Sequence, residues 1–281
     1  MIAHRVTNII TQREDAIMNQ LQVLVATMHQ KDTSIVNKMN IDCDAVIANQ
    51  ADRNEILMME RVKMITTNTR GVGLNRNIAL LAADAKFLLF ADDDMVYYDG
   101  LSSEVTNAFI NNPRADVLIF GVDITRNGQI TERRHLKPRR LWVWNTMRYG
   151  AVRIAVRRDA ILRANVTFNQ NFGGGCLFSS GEDSLFLKAC FDAGLKVYAH
   201  SYVLGTCAKD VSSWFVGHNE KYFYDKGVLM RYLFPKYPQL MSVYFAIRFK
   251  RETEIGMLRR VRLMLSGVRG GKTMQVYGGQ R

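Results

Sequence analysis

The sequence predicts an α/β fold, in which a mostly parallel sheet is flanked by helices and followed by a basic helical C-terminal extension. Short, continuous apolar runs recur through the first half of the 281-residue chain, separated by polar segments of helix or loop length. Such runs indicate strands buried on both faces, which is typical of parallel sheets covered by helices. Lysine and arginine are concentrated at the C-terminal end, which sets that part of the chain apart.

The apolar runs are the predicted strands. They cover residues 21–27 (LQVLVAT), 44–48 (DAVIA), 61–66 (RVKMIT), 86–91 (KFLLFA) and 115–121 (ADVLIFG). A helix-like segment, LSSEVTNAFINN, precedes the last run and is terminated by Pro113. Because ligands of open parallel sheets bind beyond the carboxyl ends of the strands, we expect functional side chains directly after these runs.

The positive charge of the chain lies mainly in its C-terminal part. Residues 226–281 carry 12 Lys and Arg against 2 Asp and Glu, whereas residues 1–225 are nearly neutral. Aromatic residues alternate with the basic ones, which predicts contact with an anionic membrane surface. The alternative is a solvated helix packed on the body. We therefore divide the chain into a globular domain, 1–225, and an extension, 226–281; no recognition motif points to a nucleic-acid partner.

Cysteine usage and hydropathy predict the compartment. The 4 cysteines are widely spaced, which indicates neither a zinc site nor a disulfide framework. Charged residues within the first 20 argue against a signal peptide. No apolar stretch approaches the roughly 20 residues that a membrane span needs. We expect a cytoplasmic protein with peripheral contact to the inner face of the cell membrane.

Three consecutive aspartates follow the predicted strand 86–91, in the segment FADDDMVYYDG (90–100). Side chains alternate along an extended segment, so Asp92 and Asp94 are predicted to share one side and Asp93 to face the other. Two carboxylates on one side can hold Mg²⁺ or Mn²⁺, which complete their shells with substrate phosphates and water. An acidic surface turn is the alternative interpretation.

Three motifs in a fixed order resemble bacterial glycosyltransferase family 2. They are GVGLNRNIAL (71–80), FADDDMVYYDG (90–100), and GGG (173–175) followed by SGEDSLFLKACFDAGLKVYA (180–199). The resemblance covers about residues 21–225. It implies a GT-A fold and the transfer of a sugar from a nucleotide diphosphate to an acceptor hydroxyl, with inversion at the anomeric carbon.

The resemblance also implies roles for the acidic residues. Asp92 and Asp94 match the family's DXD motif: Asp94 would ligate Mn²⁺ or Mg²⁺, and Asp92 would share the metal or contact the ribose. Asp183 would be the general base, with Glu182 as the second choice. The alternative is that both acidic residues only stabilise the first turn of a helix through its dipole.

The donor is expected to be a nucleotide sugar, with a UDP-sugar as the first choice. Asn49 or Gln50 stands where family members often have an aspartate that recognises the base, which puts uracil recognition in doubt. Arg76 would steady the DXD carboxylates or meet a phosphate, unless it is an exposed helical arginine. The donor-binding residues implied by the resemblance are Thr27, Asn49, Gln50, Arg76, Asn77, Asp92 and Asp93.

The acceptor is expected to be a glycan, carried on a lipid. Gly174 and Gly175 would let it approach the backbone. Trp142 and Trp214, with Trp144 as a further candidate, would stack on sugar faces, although tryptophans are as often buried in a core. His218 lies where some sugar transferases have a metal-binding histidine, but a lone histidine is more often structural.

Together, these features predict a metal-dependent inverting glycosyltransferase of bacterial surface or exopolysaccharide synthesis. A nucleotidyltransferase on a similar sheet is an alternative, although TMHQKDTS after the first strand does not resemble its phosphate loop. A non-catalytic, membrane-associated glycan-binding protein is the other alternative, and the intact acidic motifs argue against it.

Overall fold

A computed structural model describes residues 20–208, 217–249 and 253–278. Its strands are β1 (Leu21–Met28), β2 (Asp44–Gln50), β3 (Glu55–Met59), β4 (Val62–Thr67), β5 (Phe87–Asp92), β6 (Met95–Tyr97), β7 (Val117–Arg126), β8 (Gln129–Arg134), β9 (Arg139–Arg140), β10 (Ile154–Arg157) and β11 (Val197–Ala208). Its helices are α1 (Ile35–Lys38), α2 (Val72–Ala82), α3 (Leu101–Asn111), α4 (Arg158–Arg163), α5 (Glu182–Asp192), α6 (Glu220–Leu233), α7 (Pro238–Arg248) and α8 (Met257–Gly270). Two 3₁₀ segments, Val143–Arg148 and Ala151–Arg153, precede β10.

The strands form one mixed sheet in the order β3-β4-β2-β1-β5-β10-β7-β11-β6, with β8 paired to β7 and β9 to β11. Strands β4, β2, β1 and β5 run parallel, as do β7 and β11. Strand β10 lies antiparallel between β5 and β7. The predicted α/β fold with a mostly parallel sheet is confirmed, and each predicted apolar run contains a strand.

Helices cover both faces of the sheet, which explains the continuous apolar character of the central strands. On one face, Val23 and Phe87 belong to a core that includes Val105 and Phe109 of α3. On the other face, the strands contact α2 and α5, and Leu24 and Phe90 share a core with Leu80 and Phe186. Burying each such side chain contributes about 1.5–3 kcal/mol to stability.

The C-terminal helices α6, α7 and α8 share a third core, which also contains Phe172 and Phe178 from the loop before α5. Helices α6 and α8 approach closely at two glycines. A Cβ on Gly227 would lie 2.0 Å from the Met264 carbonyl oxygen. The domain boundary predicted after residue 225 falls inside α6. Among the described helices, none combines the length and the apolar character needed to cross a bilayer.

Candidate active site

The three aspartates lie at the carboxyl end of β5, where the chain leaves the sheet. β5 ends at Asp92, and Asp93 and Asp94 form a turn before β6. The prediction that Asp92 and Asp94 share one side required an extended backbone through Asp94. Because Asp93 and Asp94 lie in a turn, the backbone does not meet this requirement. Each carboxylate has a different partner: Asp92 contacts Arg76, Asp93 contacts Thr27, and Asp94 contacts Cys207.

Arg76 lies at the centre of the site and joins the two acidic motifs. Its Nη2 donates to both carboxylate oxygens of Asp92, at 2.7 and 3.0 Å. Its Nη1 donates to Glu182 Oε1 at 3.0 Å and to Asp183 Oδ1 at 2.9 Å. The Arg76 side chain is only 4% exposed, so these charge-assisted hydrogen bonds form away from bulk water. Helix α2 thereby connects the end of β5 to the start of α5.

The cluster sets one guanidinium against three carboxylates and so carries excess negative charge. Burial alone would lower the pKa of Arg76, but Asp92, Asp183 and Glu182 raise it well above its usual range. Burial and the adjacent Glu182 carboxylate raise the pKa of Asp183, while Arg76 acts in the opposite direction. An ionised carboxylate with a raised pKa is a stronger proton acceptor than an ordinary aspartate, which suits it to act as a general base.

Asp94 is exposed at the rim of the site, yet its surroundings disfavour its charge. Desolvation by neighbouring atoms and the charge of Asp92 raise the pKa of Asp94 to about 6. The Cys207 thiol donates to Asp94 Oδ2 at 3.4 Å and acts in the opposite direction. In the part of the chain that the structure describes, no group of three or more His, Cys, Asp or Glu side chains is placed to hold a metal ion.

Thr27, Asn49 and Gln50 lie at the carboxyl ends of the adjacent strands β1 and β2. Thr27 Oγ1 donates to Asp93 Oδ2 at 2.6 Å and links β1 to the acidic turn. The buried Asn49 amide donates to the Gln30 carbonyl and accepts from the Gln30 N–H, both at 3.0 Å. Nε2 of Gln50 donates at 3.2 Å to the carbonyl of the residue before α2. Both amides therefore make hydrogen bonds that shape the loops at this edge.

The segment after α4 packs on the first turn of α2. The Asn77 amide donates to the Phe168 carbonyl at 2.9 Å and accepts from the Phe168 N–H at 2.8 Å. The Gly174 carbonyl accepts from Val72 N–H at 2.9 Å, which satisfies a donor at the helix N-terminus. A Cβ on Gly73 would lie 2.4 Å from a backbone oxygen of this segment. Asn77 and Gly174 thus hold the segment that leads to α5 against the helix that carries Arg76.

Glu182 and Asp183 open α5, as the motif predicts. Gly181 precedes the helix with a φ of 128°, and a Cβ there would lie 2.5 Å from Leu229 of α6. Glu182 Oε2 accepts from the Gly181 N–H at 3.0 Å, and its side chain is 11% exposed. The Asp183 side chain is 25% exposed. Asp183 is therefore the more accessible of the two carboxylates.

Trp142 and Trp144 lie beside α5 and are not core residues. They are 57% and 69% exposed, and the 3₁₀ segment that begins after Trp142 packs against α5. Trp144 stacks on Phe234, with ring centroids 5.8 Å apart. A backbone hydrogen bond from Ala151, at the second 3₁₀ segment, partly offsets the rise in the pKa of Asp183 that burial and Glu182 cause. The chain that follows the exposed tryptophans therefore reaches the candidate base at Gly150 and Ala151.

The other acceptor and metal candidates have different surroundings. Gly175 is exposed and has a φ of 75°. The His218 ring packs edge-on against Tyr222 and Phe249, with centroids 5.0 Å apart in both pairs. Trp214 lies outside the described residues.

Sequence reasoning missed two residues that support the site. Asn75 Nδ2 donates to the carbonyls of Thr27 and Ala48, at 3.1 and 2.9 Å, and so ties β1 and β2 to α2. An amide on the buried side of an amphipathic helix was the available signal. Cys207 carries no such signal, because its contact with Asp94 depends on the pairing of β11 with β6.

The fold, with its acidic cluster at the carboxyl edge of the sheet, is of the GT-A type. Residues 42–163 match the family model described as Glycosyl transferase family 2. This part of the chain, which is less than half of it, is similar to that family. The match confirms the family predicted from the ordered motifs, and with it the enzyme class, a nucleotide-sugar-dependent glycosyltransferase. The matched range ends before Glu182 and Asp183.

Solved structures of TarS from S. aureus share the fold. The structure of TarS residues 1–349 in complex with UDP-GlcNAc is 15% identical, with a TM-score of 0.56 over 89% of this chain and 71% of that chain. The complex of the same fragment with UDP is 15% identical, with a TM-score of 0.53 over 90% and 72%. At this identity the likeness confirms the GT-A fold alone. The search of curated proteins found no match.

Proposed function

We propose that this protein transfers a sugar from a nucleoside-diphosphate donor to an acceptor hydroxyl, with inversion, in the synthesis of a bacterial surface or exopolysaccharide. The observation that carries the proposal is the bridge made by Arg76 between Asp92 and Asp183. It fixes the donor-side carboxylate and the candidate base at one site. An inverting displacement needs both, because the acceptor attacks from the face opposite the departing nucleotide.

Asp183 is the proposed general base. It accepts the proton of the acceptor hydroxyl while the acceptor oxygen forms a bond to the anomeric carbon. The bond from that carbon to the diphosphate breaks, and the nucleoside diphosphate leaves with the electron pair. Its greater exposure favours Asp183 over Glu182, whose carboxylate is also engaged by the Gly181 N–H. Glu182 remains the second candidate.

The proposed donor is a UDP-sugar, because TarS has been crystallised with UDP-GlcNAc and UDP. In this proposal Arg76, Asp92 and Asp93 face the donor. Asn49, Gln50 and Asn77 act through the loops that they hold, since their amides bond to the backbone. Thr27 acts through Asp93.

The carboxylates of the acidic turn fit a divalent cation such as Mn²⁺ or Mg²⁺. Asp94 offers exposed oxygen atoms, and desolvation together with the negative charge of Asp92 raises its pKa to about 6. Asp94 is the proposed main ligand, since Arg76 engages both oxygens of Asp92. When bound, the cation neutralises charge that develops on the departing diphosphate. His218 stays a predicted ligand, although its ring contacts favour a packing role.

The proposed acceptor is a lipid-linked glycan, bound at the inner face of the cell membrane. The exposure of Trp142 beside α5 supports its proposed stacking on a sugar. Gly174, Gly175 and Trp214 complete the proposed acceptor set. The basic, aromatic extension supports contact with an anionic membrane.

The test is a panel of nucleotide sugars, screened for thermal stabilisation of the purified protein with and without Mn²⁺. A donor at 100 times its Kd stabilises the folded state by about 2.7 kcal/mol. We expect one donor to stabilise the wild type in the presence of Mn²⁺, and Asp94→Ala to lose the Mn²⁺-dependent part. Turnover should release a nucleoside diphosphate. Release of pyrophosphate would instead identify a nucleotidyltransferase, and no response to any donor would contradict the proposal.

A further inference from the structure

We propose that one face of α7 is the surface through which this protein binds an anionic lipid bilayer. We call it the α7 face and define it by Tyr237, Leu240, Tyr244 and Ile247. The inference rests on the proposed function, which places the enzyme at a membrane, and it identifies which part of the extension makes the contact.

The α7 face is an uncovered apolar stripe. Tyr237, Leu240, Tyr244 and Ile247 are 64%, 66%, 55% and 55% exposed. Tyr237 directly precedes the helix, and at 100° per residue Leu240, Tyr244 and Ile247 fall within an arc of about 60° on a helical wheel. Ser242 and Ala246, on the other side of the helix, are fully buried. The helix therefore has one side packed in the C-terminal core and an apolar side turned to solvent, which is unusual for a helix of a soluble domain.

Charge complementarity identifies an anionic membrane as the partner. Lys236 and Arg248 stand at the two ends of the α7 face and are exposed. They are the only charged residues from 236 to 249. Tyrosines and aliphatic side chains between flanking cations match the interface of an anionic bilayer, where cations meet headgroups and apolar side chains enter below them.

Helix α8 has a stronger amphipathic pattern in the sequence than α7, but most of its apolar side is covered by α6. Leu263, Met264 and Val268 are buried in the core shared with α6. A Cβ on Gly267 would lie 2.0 Å from the Tyr224 carbonyl oxygen, so α6 and α8 are in direct backbone contact. Helix α8 exposes Met257 and Leu258 only in its first turn and can add exposed arginines to the surface, whereas α7 exposes apolar side chains along its whole length.

The position of α7 suits an acceptor carried by a lipid. Phe234, at the C-terminal end of α6, stacks on the exposed Trp144, and the Tyr237 N–H bonds to the Phe234 carbonyl. The 3₁₀ segment that contains Trp144 packs against α5, which begins with Glu182 and Asp183. The first residue of the α7 face thus lies one turn from Phe234, whose partner Trp144 belongs to a segment that contacts the helix of the candidate base. A bilayer on this face would present lipid-linked sugars toward Asp183.

A second exposed apolar group supplies a matched control. Ile56 and Met58 of the edge strand β3 are 64% and 68% exposed. Glu55 pairs with Arg53 at 2.9 Å and Glu60 directly precedes the exposed Arg61, so the charges beside this edge offset one another and give it no excess of cations. The same pair of substitutions can therefore be made at two equally exposed apolar sites that differ in charge.

The experiment measures sedimentation of the full-length protein with vesicles of phosphatidylcholine, with and without phosphatidylglycerol. Wild type should bind only the anionic vesicles, and less at high salt. Leu240→Glu combined with Ile247→Glu should weaken binding at least about tenfold, since acidic side chains replace apolar ones at the interface. Ile56→Glu combined with Met58→Glu should bind like wild type.

Wild-type failure to bind anionic vesicles, or equal binding by the α7 double variant, would overturn the inference. Equal losses in both double variants would do the same. Loss of self-association in the α7 variant with unchanged vesicle binding would assign the face to a second copy of the chain. Donor-dependent thermal stabilisation should persist in both variants. Its absence in wild type that still binds vesicles would contradict the proposed function and leave the membrane surface standing.

Discussion

The sheet domain buries a cluster of charges around Arg76, whereas the C-terminal helices leave an apolar stripe exposed on α7. In the sheet domain, Arg76 and Glu182 are buried beside Asp92 and Asp183. In the C-terminal helices, the buried Asp225 pairs with the partly exposed Lys221, and Leu240 and Ile247 lie exposed. A buried charge and an exposed apolar stripe are both costly for a folded chain, which is why a functional contact is proposed for each.

The difference also separates two kinds of binding. A cluster with excess carboxylates and one shared guanidinium favours the arrival of positive charge, as a metal or a proton. A basic, apolar helical surface favours a broad anionic partner without precise hydrogen bonds. Substitutions in the first region should therefore change turnover and the way stability depends on pH, whereas those in the second should change helix packing and surface binding.

The largest expected effect is on turnover. Asp183→Asn removes the proposed base and should lower kcat by about 10²- to 10⁴-fold, with donor binding retained. Steady-state kinetics and thermal shift with donor measure the two quantities. Asp192→Asn, at the exposed end of the same helix, is the control and should keep wild-type turnover. Wild-type kcat in Asp183→Asn would refute the assignment of the base.

The next effect is on stability of the sheet domain. Arg76→Met leaves Asp92, Glu182 and Asp183 without their shared cation and should cost about 3–5 kcal/mol at neutral pH. Urea unfolding measures this loss, which should shrink at acidic pH as the carboxylates become protonated. Arg76→Lys keeps the positive charge but not the planar guanidinium, so its loss of folding free energy should be smaller than that of Arg76→Met. A methionine variant as stable as wild type would show that the cluster makes no net contribution.

A smaller stability effect is expected where the C-terminal helices touch. Gly267→Ala puts a Cβ against the Tyr224 carbonyl oxygen, which should force α6 and α8 apart at a cost of about 1–3 kcal/mol. Thermal unfolding measures the change. Gly256→Ala is the control in the same region, because no atom lies within 4 Å of its added Cβ. Equal melting temperatures for both variants would mean that the helices adjust freely.

The smallest expected effect concerns the unfavourable charge of Asp94 in the acidic turn. The pKa of Asp94 is raised to about 6 in the folded protein and is about 3.9 in the unfolded chain. Between these two pH values, the folded state therefore binds more protons than the unfolded state. Stability of wild type should therefore fall as pH rises through this window. Because Asp94 is exposed, screening reduces the effect. Without metal at pH 7, Asp94→Asn should melt about 1–3 °C higher than wild type.

The comparison of melting temperatures is repeated near pH 4, where wild-type Asp94 is protonated and resembles the amide. The two proteins should then melt together. A difference that stays constant with pH would contradict the raised pKa.

The sequence was informative wherever the signal is local. Continuous apolar runs predicted β1, β2, β4, β5 and β7, because burial on both faces leaves no polar alternation. The order of the three motifs predicted the family. By contrast, the prediction of an extended backbone from Asp92 to Asp94 missed the turn at Asp93. Three identical residues carry no signal of where a strand ends. Asn49 and Asn77 were selected by position, but their hydrogen bonds to distant backbone could not be anticipated.

By itself, the sequence determined the fold class, the family motifs and the concentration of basic residues in the extension. Only the tertiary structure decided that Arg76 joins Asp92 to Asp183, that Cys207 contacts Asp94, and that α7 rather than α8 exposes its apolar side. The physical reason is the sequence separation of the residues that interact. Periodicity and composition reflect residues that are neighbours along the chain. A hydrogen-bond partner or a covered helix face depends on which distant segments pack together.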